Sequence, residues 1–401
     1  MDPQSKTSDE AASTDVPQDV MDAHCLTGVK LHSVLRGIMI ATMLISIDVS
    51  IIVTAIPAIS SQFNAATDIG WYGAAYPVTM CALQPLSGKI SSIFPLRWSY
   101  FVFFGIFLLG SVLCAVAGIG GVGIVSGGLS VIALVTPTAQ RPLFTGLITS
   151  LYAVWTVVAP TIGGAFTTNV SWRCTAVVEQ DARILRIMKL DLVCCIIFVG
   201  SIMYKDDEAL IPLTLFRDRS VDLSILFAFL FMASFVVSVY YLPEWFQIVK
   251  GASPMRSGVI LLPSVSTQVF GAIVSGHVRY YNPWFFIGSS MLCIASGLYT
   301  TFIPSTSSNK WIEFQILQGL GCGFAAQMAL VTVQNVLKTQ PGIVSVGIST
   351  VLFAQYFGSS VMQTVGASIF HNELVRRLES NSGAGLNATG VAMLLDAGTS
   401  K

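Results

Sequence analysis

The chain has 401 residues, 53% of them apolar and only 10% charged, against roughly 45–50% and about 25% in ordinary soluble domains. Its 21 basic and 21 acidic residues balance to a formal net charge of zero, so nothing suggests a nucleic-acid partner or capture by an anionic surface through bulk charge. Long apolar runs recur along the whole length, so the fold class is that of an all-α polytopic membrane protein with the lipid bilayer as its first partner.

Residues 1–33 read as a disordered cytosolic tail, because MDPQSKTSDEAASTDVPQD lacks the basic start and short apolar core of a secretory signal. A helix needs about 20 apolar residues to cross a core roughly 30 Å thick. Spans are predicted at 34–57, 71–94, 98–117, 119–137, 143–166, 190–204, 221–243, 256–276, 283–303, 311–336 and 343–370. Between Arg97 and Arg141 there is no charged residue, and one helix of that length would cover about twice the bilayer. The chain is therefore expected to reverse near Gly118–Gly123. The segment 190–204, LDLVCCIIFVGSIMY, is short for a span.

Six tryptophans, Trp71, Trp98, Trp172, Trp245, Trp284 and Trp311, fall at or just outside segment ends, where interfacial aromatics belong. Lys89, Arg97 and Arg141 occupy the loops after the second and fourth spans, while the alternate loops carry no Lys or Arg through Thr168. The positive-inside rule then puts the amino terminus in the cytosol. The expected organisation is an N-terminal helix bundle over 34–174, a degenerate connecting region over 175–220, a C-terminal bundle over 221–370 and a polar segment over 371–401.

Motifs of other classes fail on context. GIGGVG at 118–123 fits a dinucleotide fingerprint in letters, but no strand precedes it and the next acid is Glu179. Its glycines are expected to serve a tight turn or close helix packing. Cys81, Cys114, Cys194, Cys195, Cys293 and Cys322 lie inside apolar runs and read as small hydrophobes. His24, His32, His277 and His371 are scattered, so neither a metal site nor an enzyme nor a cofactor is expected.

Asp48 stands inside the first apolar run. A carboxylate at that depth is either a capped structural group or a group that titrates as it faces one side and then the other. Gln327 and Gln334 are seven residues apart, and Tyr72 and Tyr76 four apart, so each pair shares a helix face that lines a cavity or serves packing. Amides and phenols offer hydrogen bonds without fixing a charge, which suits an amphipathic substrate.

DVSIIVTAIP (48–57), IGWYGAAYPVTMCALQPLSGKISSIFPLRW (69–98), APTIGGAF (159–166), YYLPEWFQIVKGASPMRSGVILLP (240–263) and WIEFQILQGLGCGFAAQ (311–327) together resemble the 14-span drug:proton antiporter group of the major facilitator superfamily, in its fungal toxin-efflux form. The resemblance implies the major facilitator fold of two helix bundles, with about eleven spans retained. It implies export of a small hydrophobic metabolite, toxin or drug coupled to protons across the plasma membrane. Asp48 would carry the proton. Tyr72, Tyr76, Gln84, Gln327 and Gln334 would meet the substrate. Gly88, Lys89 and Arg97, on the family's cytosolic loop motif, would gate the inner side, although Lys89 and Arg97 equally fit a purely topological role. Pro160, Gly163 and Gly164 would let the fifth helix bend and seal the cavity.

Departures from the family pattern accompany the matches. The arginine of a GRxxxG stretch expected after CAVA (114–117) is missing, no sixth helix follows SWRC (171–174), and the chain stops at DAGTSK before a last helix. A shortened relative, inactive or regulatory, is thus the alternative reading; nutrient or iron-chelate uptake is a third. Eleven spans put the termini on opposite sides and both sequons, at Asn169 and Asn387, on the lumenal side. Glu244 and Glu313, where uncharged residues are expected, are read as interfacial and solvated.

Overall fold

A backbone without water to bond must satisfy its own N–H and C=O groups, and only a helix does this within one segment. A computed structural model of the protein describes residues 28–63, 69–113, 117–137, 140–169, 211–252, 254–278, 282–338 and 341–382, and every regular element among them is helical. The first five helices are α1 (Val29–Phe63), α2 (Ile69–Ile93), α3 (Leu96–Leu113), α4 (Ala117–Val135) and α5 (Arg141–Asn169). A 3-10 turn at Leu213–Arg217 leads into α6 (Arg219–Ile248), α7 (Pro254–Ile260), α8 (Leu262–His277) and α9 (Asn282–Tyr299). The last three are α10 (Ser308–Ala325), α11 (Met328–Val336) and α12 (Pro341–Ser382).

These helices coincide with ten of the eleven predicted spans; the span at 190–204 lies outside the described residues. Val29–Ile47, Arg219–Pro243, Ser308–Val336 and Ile343–Phe370 are each long and apolar enough to cross a membrane by length and composition. Two spans are broken rather than continuous: Pro263 marks the step from α7 to α8, and a turn at Ala326–Gln327 separates α10 from α11.

Contacts fix the direction of each helix. Gly88, late in α2, faces Ser345 and Ser349 early in α12, and the Cys81 thiol lies 3.9 Å from the Phe353 carbonyl, so α2 and α12 run antiparallel. Gly276, late in α8, abuts Pro142 and Leu143 at the start of α5, again antiparallel. Phe229 meets Gly358 and Tyr241 meets Gly366 and Phe370, so α6 and α12 run parallel. A buried cluster joins Leu31, Ile132, Leu215, Val221, Val333 and Val344 from the ends of six segments at one face of the molecule. Lys89, Arg97, Arg141, Arg217, Arg219 and Lys338 stand at this same basic end. At the far end Lys250 donates to the carbonyls of Pro304 and Thr306 at 2.7 and 3.0 Å, and Phe246 packs on Trp311.

Helices in lipid gain little from exchanging tails for side chains, so close backbone approach decides which faces meet. Gly319 and Gly323 of α10 sit against Ser264, Gln268 and Ala272 of α8, while Gly321 faces Gly288 and Leu292 of α9. Gly123 of α4 leaves room for the Phe103 ring of α3, and Gly128 for Ile38 of α1. The amino-terminal half joins α1 to α5, α3 to α4 and α2 to α4; the other joins α8 and α9 to α10 and α6 to α12. Two seams connect the halves, α2 against α12 and α5 against α8.

Three sequence expectations change. The reversal is not at Gly118–Gly123, which lie inside α4: Gly123 takes the Phe103 ring, and α3 already ends at Leu113. The helical chain starts at Val29 rather than at 34, because Leu31 is already buried in the core. Within the expected connecting region, Leu215 joins the main cluster and α6 starts at Arg219. Arg141 is not a solvated loop charge but is 6% exposed.

Candidate functional site

The seams between the halves are where a substrate path can run, and most of the polar side chains singled out in the sequence lie on the helices that form them. Along α2 and α12, Gly88 lets the backbones close: a Cβ there would overlap the Ser349 side chain and come within 3.1 Å of the Ser345 carbonyl. One turn away Gln84 is fully buried, and neither its amide nitrogen nor its amide oxygen has a hydrogen-bond partner among the described residues. The Ser87 hydroxyl meets that of Ser126 on α4 at 2.8 Å.

Along α5, the basic end is equally tight. A Cβ on Gly276 would come within 2.8 Å of the Leu143 Cα, and one on Gly146 would overlap the side-chain amide of Gln327. Gln327 stands in the turn between α10 and α11, and its amide nitrogen donates to the Ala272 carbonyl at 3.1 Å and the Ser275 hydroxyl at 2.8 Å. Arg141 donates from Nε to the Thr136 carbonyl at 3.1 Å and from Nη1 to the Gln334 carbonyl at 3.4 Å. Towards the far end a shallow apolar surface groove lies between Val154 of α5, Pro263 and Thr267 of α8 and Ile316 of α10, with Val259, Leu262 and Ile316 exposed along it. Both seams are close-packed at the basic end.

The expected site residues distribute as follows. Gln84, Gln327 and Gln334 are all buried, but the helix break gives the last two different surroundings: Gln327 bonds α8, while the Gln334 amide has no partner among the described residues. Lys89 ends α2 beside the Gly88 contact and is half-buried, whereas Arg97 is exposed at the start of α3, which packs on α4 and α2. Asp48, Tyr72 and Tyr76, with Pro160, Gly163 and Gly164, lie in α1, α2 and α5, and their side chains fall outside the described residues. Near Asp48, the Ser46 hydroxyl donates to the Tyr152 carbonyl at 2.8 Å and ties α1 to α5. Asn169 ends α5, and Asn387 lies outside the described residues. Glu313 is exposed near the far end of α10, as an interfacial carboxylate should be; the Glu244 side chain is outside the described residues.

Sequence reading missed two further amides. Gln315 is fully buried with both polar atoms unpaired among the described residues, and Gln318 accepts from the Tyr299 hydroxyl at 2.5 Å. The signal was present in the same quoted stretch, two glutamines three apart in an apolar helix. Buried amides without partners are costly in a static core, and several lie in this interior among the described residues.

Antiparallel pairing of helices across two seams between two halves is the arrangement expected of a two-bundle membrane transporter. The family model of the Major Facilitator Superfamily matches residues 38–179. The chain is 35% identical over 482 residues to the MFS-type transporter poxA of Penicillium oxalicum, covering 98% of this chain and 84% of that protein. It is 32% identical to the MFS-type efflux pump MFS1 of Trichophyton rubrum, over 92% of this chain and 83% of the pump. With the rubrofusarin-specific efflux pump aurT of Gibberella zeae the figures are 33%, 89% and 79%. The proton:xylose symporter XylE superposes with a TM-score of 0.64 at 14% identity, over 87% of this chain and 90% of that one. The chain belongs to the major facilitator superfamily, and it is an integral membrane transporter rather than an enzyme. The 482 aligned positions exceed the 401 residues of the chain, so poxA carries internal stretches that this protein lacks.

Proposed function

We propose that the protein exports a small, uncharged, amphipathic metabolite or toxin across the plasma membrane in exchange for protons, with its basic end in the cytosol. The observation that carries this reading is the similarity, over more than four-fifths of its length, to a fungal efflux pump. The chemistry of the seams supports it: Gln84, Gln327 and Gln334 are neutral donors and acceptors in an apolar surround, able to hold hydroxyl and carbonyl groups on a polycyclic body without trapping a charge. Tyr72 and Tyr76 would add phenols along α2, and Gly88 with Lys89 and Arg97 would close the inner side. Pro160, Gly163 and Gly164 would let α5 bend against its neighbour.

Asp48 is the coupling group in this reading. A carboxylate in the membrane favours its neutral form until it faces water, so protonation follows the side to which the carrier is open. Asp48→Asn should keep membrane abundance near that of the native protein and abolish export driven by a proton gradient in inside-out vesicles. Export by that variant at the native rate would remove Asp48 from the mechanism. A second reading, a transporter-derived regulatory protein without transport, is favoured by the internal stretches that poxA has and this chain lacks. It predicts no gradient-dependent flux from the native chain with any of the pigments or toxins tested.

A further inference from the structure

The chain enters its second half through a short turn in which charge and apolar surface come in a fixed order. Leu215 and Val221 are buried and pin the turn Leu213–Arg217 and the start of α6 to the core, whereas Phe216, Arg217 and Arg219 are exposed. The turn lies beside the end of α11: a Cβ on Gly347 would meet Leu337 at 2.6 Å, Val333 at 2.7 Å and Leu215 at 3.6 Å. Lys338 follows Leu337 directly and is exposed as well. Three cations, Arg217, Arg219 and Lys338, thus stand on neighbouring segments at the basic end, and none of them has an ion-pair partner among the described residues. Against them stand Asp218, exposed between the two arginines, and Asp222, one turn into α6 and partly buried. Positive charge is in excess at this surface.

From these cations an apolar stripe runs along the outer face of α6. Leu223, Leu226 and Leu230 are 66%, 54% and 57% exposed, and they follow Arg219 by four, seven and eleven residues, which is one helix face. The stripe is about 16 Å long at a rise of roughly 1.5 Å per residue, close to half of a hydrocarbon core about 30 Å thick. One leaflet is therefore covered. Phe229 borders the stripe and packs on Phe357 of α12 at 5.6 Å, and Phe357 is itself exposed.

Any lipid tail can lie on exposed leucines, but the charge at the head of the stripe selects what stands there. We infer that the start of α6 binds one anionic phospholipid, its phosphate and headgroup carboxylate held by Arg217, Arg219 and Lys338 and one acyl chain laid along Leu223, Leu226 and Leu230. The two guanidinium forks match phosphate and carboxylate oxygens in pairs, while Lys338 adds a point charge from the end of α11. A zwitterionic lipid brings its own cation into the same place and loses the attraction. Anionic lipids are concentrated in the cytosolic leaflet, so occupation in the cell rests on the reading that the basic end faces the cytosol. The binding itself does not.

The test uses the full chain purified in a neutral detergent, with phosphatidylserine and phosphatidylcholine of identical chains as probes and native mass spectrometry to count bound lipid. Phosphatidylserine should bind in preference, as one retained molecule per chain. Arg217→Gln should weaken that binding about fivefold and Arg217→Gln with Arg219→Gln about thirtyfold, the size expected of basic residues at an anionic surface, whereas lysine at both positions should keep most of it. Lys30→Gln with Arg36→Gln removes two exposed cations of α1 at the same end and should change nothing. An equal loss in that α1 variant would mean that overall charge attracts the lipid, and it overturns the site. So does release of the lipid by inorganic phosphate at matched concentration, which would make this a phosphate site. If the arginine variants fail to fold, Leu226→Trp reads the same contact with every cation in place. Brominated phosphatidylserine should quench its fluorescence more strongly than brominated phosphatidylcholine, with the native chain as background, and equal quenching overturns the site. Neither readout needs a transported substrate. Preferential binding by a chain that moves nothing keeps the site and sinks the export reading, whereas export without lipid preference does the reverse.

Discussion

Gln84 shows what a single residue position demands in this molecule. Its amide is fully buried without a hydrogen-bond partner among the described residues, a state that costs on the order of 1–3 kcal/mol for each unsatisfied group. Gln84→Leu removes that cost and should raise stability to unfolding in detergent by about 1 kcal/mol, while lowering export. A variant that is less stable and transports normally would instead make Gln84 a packing residue. Some of this was legible in the letters, because a carboxamide or carboxylate in an apolar run stands out, as Asp48 and Gln84 do. Arg141 did not stand out as a buried group. It sits between two predicted spans, where a basic residue reads as topology, and its burial comes from α11, almost two hundred positions later. No local pattern carries that information.

At the scale of the element, glycine has opposite meanings that depend on the neighbour. In α10 the alternation Gly319, Gly321, Gly323 serves two contacts, since a step of two residues turns roughly 200° around a helix and so points alternate glycines towards α8 and towards α9. The stretch WIEFQILQGLGCGFAAQ was legible as a match to a family, and the structure supplies its physical reason. In α3, by contrast, a Cβ on Gly105 would meet nothing within 4 Å. Gly105→Ala should therefore stabilise the protein by about 0.5–1 kcal/mol through helix propensity and reduced chain entropy. Gly323→Ala places a Cβ 2.9 Å from the Ala272 nitrogen and 3.0 Å from the Gly271 Cα. Those are backbone atoms, so the helices must separate, at a cost of about 1–3 kcal/mol. Thermal unfolding of the two purified variants in one detergent should shift in opposite directions; shifts of the same sign would mean that the α8 to α10 contact tolerates a methyl. Gly118–Gly123 were misread as a reversal because a glycine run breaks an average helix, whereas a helix packed against Phe103 uses its last member as a socket.

For the whole molecule the open question from sequence was whether the chain crosses the membrane between the two halves, because 190–204 is short and basic residues precede it. The described ends on either side of that segment can be placed on the fold. Asn169 ends α5, which starts at the basic face with Arg141 and is 29 residues long, enough to reach the far face at about 1.5 Å per residue. Ile211 packs against the cluster of Leu31, Leu215 and Val344 at the basic face. Asn169 and Ile211, the described residues on either side of that segment, thus lie towards opposite faces. The same argument sends α12, which starts beside Gly88 at the basic face and passes Tyr241 at the far one, outward to Ser382. If the basic face is cytosolic, as we propose, Asn169 and the sequon Asn387–Ala388–Thr389 are both expected on the lumenal side. Removing the sequons one at a time by Asn→Gln and treating with glycosidase should show the chain carrying glycan at Asn387 and none reporting from the cytosol; Asn169, at the helix end itself, should become modified when a short polar spacer sets it off from the bilayer. Glycan at a spaced Asn169 with none at Asn387, when the latter is competent after transfer to a lumenal loop, would place the two ends on opposite faces and contradict the antiparallel run of α2 and α12.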